Sequence, residues 1–198
     1  NPEAIETLEQ AYTASNYDMR SVLRVLFRSD FFKQARFARV KSPAELVIWT
    51  VRLAGNFVAP RLGFQELAWE CNYQGQELLN PPSVESWHTG QEWIDGGALV
   101  RRVNFAAKFL GDASLPGIQA IVDGLRARGT LSPTEFVDGC LDLLGPLEVS
   151  EQTRRELLAQ AEEGGELRWG TEQESRASAQ RVGVMLALIG ASREYQFA

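Results

Sequence analysis

Three stretches of this chain carry the same start signal for a helix, each followed by a matching stop. In "KSPAELVIWTVRLAG", Ser42 is placed to cap, Pro43 occupies the first turn, and Glu45 can reach back to the cap amide. Gly55 then stands where a left-handed residue ends a helix. "LSPTEFVDGCLDLLG" repeats the device with Ser132, Pro133, Glu135 and the closing Gly145. "GTEQESRASAQRVGVMLALIG" uses Thr171 and Glu174 and stops near Gly190. The segments between the two Ser-Pro-x-Glu starts do not correspond, so they read as shared helix grammar and not as a duplication.

The remaining punctuation is also helical. Asn1 and Pro2 open a helix to about Thr13, and another starts near Asp18 with Met19, Val22, Leu23 and Leu26 as its stripe. A short turn follows in "SDFFKQARF", with Phe31 and Phe32 expected in the core. Further helices are predicted from Gly63 to Tyr73, from Asp95 as cap to Gly111, through "LPGIQAIVDGLRARG", and from Ser150 to about Glu163. No stretch alternates with period two between hairpin turns. The expectation is an all-α fold, an irregular bundle of about eight helices with one long ordered loop rich in Trp, Pro and Gly. It reads as a single helical domain over 1–198, with a soft subdivision near 111–116.

A chain of 198 residues with 44% hydrophobic and 23% charged residues can bury a core without a metal or disulfide. The net charge of −6 argues against nucleic acid as a partner. Cys71 and Cys140 lie far apart in apolar helical contexts and read as buried free thiols. The apolar run from Val182 to Ala191 is too short to span a bilayer. There is no GxxxxGK, no GxGxxG after a strand and no HExxH, so P-loop, dinucleotide and zincin chemistry are disfavoured and no cofactor or metal is expected.

The candidate site is "GQELLNPPSVESWHTGQEWIDGG", Gly75 to Gly97. His88 is the one histidine, so any histidine mechanism within the chain must use it, with Ser86, Glu85, Glu92 or Asp95 nearby. "SWHTG" lacks the strand–nucleophile–helix setting that activates a serine. Trp87 and Trp93 either stack on a sugar or peptide or anchor the loop, and anchoring is the reading adopted. Pro81 and Pro82 forbid helix at the loop's entrance. Arg101 and Arg102 diverge by about 100° on their helix, so one is expected to pair with a loop carboxylate and the other to be solvated. Asn104, if it faces inward, ties helix to loop. The candidate binding residues are therefore Trp87, His88, Trp93, Asp95, Arg101, Arg102 and Asn104.

"LRVLFRSDFF", "VKSPAELVIWTVRLAG" and "GQELLNPPSVESWHTGQEWIDGGALVRRVNF" together resemble the bacterial domain-of-unknown-function family 1800. The matching positions are Lys41, Ser42, Pro43 and Glu45; Gly75 and Gln76; Pro81, Pro82 and Val84; Trp87, Trp93 and Ile94; and Arg102, Asn104 and Phe105. Ser86 stands where the family usually has glycine, and His88 where proline is common. The likeness covers about Leu23 to Leu110, and the tail "LIGASREYQFA" resembles the family's end. It implies that the chain is the C-terminal part of a longer exported protein, periplasmic or secreted. It also implies a sulfatase-like protein encoded nearby as partner, and it brings no established activity.

The reading taken forward is a noncatalytic helical domain that binds a partner or ligand through the loop from Asn80 to Asp95. The alternative is a hydrolase acting on a polysaccharide or ester, its site completed by an N-terminal part.

Overall fold

Side chains that reach only two or three residues along the chain cap seven of the ten α-helix starts among the described residues. In the computed structural model, which describes residues 1–57, 59, 61–87, 89–145 and 147–198, all three capping boxes form. Ser42 Oγ accepts from Glu45 N at 3.2 Å while Glu45 Oε2 accepts from Ser42 N at 2.7 Å. Ser132 with Glu135 and Thr171 with Glu174 close the same reciprocal pairs. Each box satisfies two amides that the helix leaves orphaned.

The chain divides into two compact units, Asn1–Arg39 with Ala198, and Val40–Phe197. The first holds α1 (Pro2–Ala14), α2 (Met19–Arg28) and α3 (Asp30–Gln34). Asn1, Asp18 and Ser29 cap them, and Asn16 and Tyr17 take left-handed backbone to turn α1 back onto α2. None of the three helices buries a residue. Phe32 therefore does not plug a core as expected. It sits exposed, edge-on to Phe27 with ring centroids 5.2 Å apart, because a unit this small has little interior to offer.

The second unit holds α4 (Pro43–Leu53), α5 (Phe64–Tyr73), a 3-10 turn (Gly90–Ile94), α6 (Gly96–Leu110), α7 (Pro116–Ala127), α8 (Pro133–Leu144), α9 (Glu151–Glu163), α10 (Glu172–Ala191) and a last 3-10 turn (Glu194–Gln196). The fold is all-α, with ten α-helices among the described residues; the short α3 contributes to the excess over about eight. Gly111–Pro116 joins α6 to α7 inside this unit.

Its main core is built from Leu46 of α4, Leu110 of α6, Leu125 of α7, Phe136 of α8, and Leu186 and Ile189 of α10. A second cluster joins Val47 and Val51 to Leu67, Cys71 and Phe105, where α5 and α6 flank α4. α10 lies along α6 at close range. A Cβ on Gly183 would come within 2.7 Å of the Gly111 carbonyl oxygen, so a side chain at that crossing would separate the helices. The C-terminal tail returns to the start of α4 through a Val40–Phe197 bridge and a bond from Lys41 N to Gln196 O at 2.9 Å.

Candidate functional site

The loop between α5 and α6 begins where α5 runs out of helix at Tyr73 and ends where α6 starts at Gly96. Its base is fixed at three points. Gly75 has φ +98°, a backbone angle that glycine adopts without strain, and the Trp93 ring packs beside it. Gln76 Oε1 accepts from Ala44 N at 2.9 Å, which ties the loop to the first turn of α4. Trp87 Nε1 donates to Glu77 O at 2.9 Å, so that indole staples the loop to itself.

The two tryptophans therefore differ. Trp93 is buried at 7% exposure, and its Nε1 has no hydrogen-bond partner among the described residues. Trp87 is half-buried. Between these anchors the loop is open: Pro81 and Pro82 are exposed, and Leu79 and Val84 present 97% and 106% of their surface. Leu79 and Ser86 both hold left-handed backbone, at φ +63° and +81°. His88 lies outside the described residues. Asp95 occupies the position before α6, but its side chain makes no capping bond, so the expected cap is supplied by no side chain there.

The neighbouring arginines reverse the expectation for them. Arg101 pairs with a residue of α5 and not with a loop carboxylate: its Nε and Nη2 each bond a Glu70 oxygen at 3.1 Å, and its guanidinium lies 4.4 Å over the Tyr73 ring. Hydrogen bonding to Glu70 raises its pKa above the ordinary guanidinium value. Arg102 is not solvated; it is fully buried. Nε donates to Gln196 Oε1 at 3.0 Å and Nη2 to Lys41 O at 2.8 Å, while Nη1 has no partner among the described residues. Loss of water pushes its pKa down to about 10, against the pull of the Glu45 charge. The reason is the tail after α10, whose return to α4 covers that face of α6. Asn104 faces outward and is exposed, so it does not tie helix to loop.

Sequence reasoning did not select the polar residues that gather around Arg102. Lys41 is buried, with Nζ donating to Tyr195 O at 2.8 Å and lying 4.9 Å from the Tyr195 ring centroid. Tyr195 Oη and Thr50 Oγ1 share a hydrogen bond at 3.0 Å, both buried. The available signal was that Lys41, Gln76, Arg102 and the tail all fall on the stretches that carry the family likeness. These residues form an internal clamp rather than an open pocket.

Elsewhere, a cavity of about 420 Å³ is bordered by Phe136, Gln160, Glu163, Arg181 and Met185. Arg181 donates to the carbonyls of Ala161, Gly165 and Glu166, so it finishes α9. Both cysteines are buried free thiols, and burial pushes Cys71 to about 11 and Cys140 to about 12. Protonated at neutral pH, neither is an activated nucleophile. Among the described residues no group of three His, Cys, Asp or Glu side chains could hold a metal ion, and no helix is long and apolar enough to cross a membrane.

The family model described as protein of unknown function (DUF1800) matches residues 1–197, and the chain belongs to that family. No curated protein and no solved structure matches it.

Proposed function

We propose that this member of the DUF1800 family is a noncatalytic helical domain of an exported bacterial protein, and that it binds a partner through the α5–α6 loop. The observation that carries the reading is the contrast within the loop. Its base is held by Trp93, Gln76 and the Trp87–Glu77 bond, while Leu79 and Val84 are held out in solvent. Exposed apolar side chains on a pre-ordered loop lose little conformational entropy when a partner covers them.

The partner proposed is a sulfatase-like protein encoded nearby. The test is capture of the full-length protein from its native envelope, followed by identification of what accompanies it. The sulfatase-like protein should accompany the native chain and be lost from the Leu79→Ser/Val84→Ser variant. Its absence from the native capture, or equal recovery with the variant, overturns the proposal.

A further inference from the structure

The segment "MRSVLRVLFR" forms α2, and it repeats an apolar residue followed by arginine every four positions: Met19–Arg20, Leu23–Arg24, Phe27–Arg28. On a helix of 3.6 residues per turn, spacing by four keeps each set in one row, and the two rows lie about 100° apart. The opposite side, with Val22, Val25 and Leu26, is half-buried, whereas all six row residues are exposed. α2 is strongly amphipathic. It therefore turns towards solvent an apolar row and a cationic row side by side.

None of Arg20, Arg24 and Arg28 forms an ion pair among the described residues. Asp18 is occupied in capping α2, bonded to Ser21 Oγ at 2.7 Å and to the amides of Arg20 and Ser21, and Asp30 pairs with Lys33 at 3.7 Å. Exposed Tyr17 and Phe32 extend the apolar surface beyond the two ends of the helix.

We propose that this face docks on an anionic phospholipid surface. Phosphodiester oxygens suit the guanidinium fork, which can bond them two at a time. Met19, Leu23 and Phe27, one row over, reach the acyl boundary when the arginines lie at the depth of the phosphates. A planar interface engages both rows along the whole helix at once. The helix lies on the membrane and does not cross it, in keeping with its ten residues.

The test is co-sedimentation of the chain with vesicles of phosphatidylcholine carrying a minority of phosphatidylglycerol, against vesicles of phosphatidylcholine alone. Binding is expected only to the anionic vesicles, weakening as salt rises. The Arg20→Gln/Arg24→Gln/Arg28→Gln variant should lose partitioning on the order of 100-fold, with unchanged helix content by circular dichroism. Leu23→Gln/Phe27→Gln should remove the salt-resistant part of the binding. Equal binding to neutral vesicles, salt-independent binding, or undiminished binding by the folded triple variant overturns the proposal. So does failure of the native chain to bind anionic vesicles, which would assign the two rows to an acidic protein face.

Discussion

Arg102 Nε donates to Gln196 Oε1 at 3.0 Å, joining side chains 94 positions apart in the chain. The same guanidinium holds the Lys41 carbonyl, and Gln196 Nε2 continues to Gly190 O at 3.3 Å. One buried cation on α6 thus fastens both the segment that enters α4 and the tail that leaves α10. Lys41 reinforces the join from the other side by bonding Tyr195 O.

Arg102→Leu should therefore destabilise the chain by about 2–5 kcal/mol, because two buried acceptors lose their donor. Arg102→Lys should recover little, since an ammonium cannot span both acceptors as the fork does. Adding Gln196→Leu to Arg102→Leu should cost less than Gln196→Leu alone, as coupled partners are not additive. Urea unfolding measures all of these, and an Arg102→Leu midpoint equal to wild type would remove the clamp from the account.

Trp93 anchors the loop by area and shape, with its Nε1 unbonded among the described residues. Trp93→Ala should lower stability by about 3–5 kcal/mol. Trp93→Phe should be far milder, because it removes a buried donor that has no partner there. Thermal unfolding of the pair tests the idea; equal losses would mean that the indole N–H matters after all.

Ser86 holds φ +81° in the loop, a conformation that L side chains disfavour. Glycine takes such an angle without steric cost. Ser86→Gly should stabilise by about 1 kcal/mol through relief of the strain, partly offset by entropy of the unfolded chain. A stability decrease on denaturant titration would refute the strained geometry.

Alkaline pH should unfold the chain through its buried acids. Burial raises the pKa of Cys71 to about 11 and of Cys140 to about 12, from 9.0, and lifts Tyr195 above its ordinary phenol value. Between the unfolded and folded values the folded chain keeps protons that the unfolded chain releases. Stability is therefore full below about pH 9 and falls as pH rises, by up to about 1.4 kcal/mol per pH unit for each thiol. Arg102 acts in the opposite sense above about pH 10, because its folded pKa is lowered from 12.5. Cys140→Ala should lower overall stability but flatten the alkaline decline of the urea midpoint; an unchanged slope would exclude that thiol as a contributor.

The helices were legible because their signals are local. Ser42 with Glu45, Ser132 with Glu135, and Thr171 with Glu174 form bonds that span three residues, so spacing alone specified them. The loop was legible for the same reason: prolines and glycines exclude helix wherever the rest of the chain lies. What spacing could not decide was which side of a helix would be covered. Arg101 and Arg102 are adjacent and chemically identical, yet one bonds Glu70 at the surface and the other is sealed inside. Gly55 read as a helix stop, and its left-handed φ of +68° agrees. The sequence did not disclose that a Cβ there would run into Gly117 at the start of α7, 2.5 Å from its amide nitrogen. Caps and turns are short-range bonds and belong to the sequence by itself. Burial depends on elements brought together from distant parts of the chain, so the fate of Arg102, Trp93 and Gly117 was decided only by the tertiary structure.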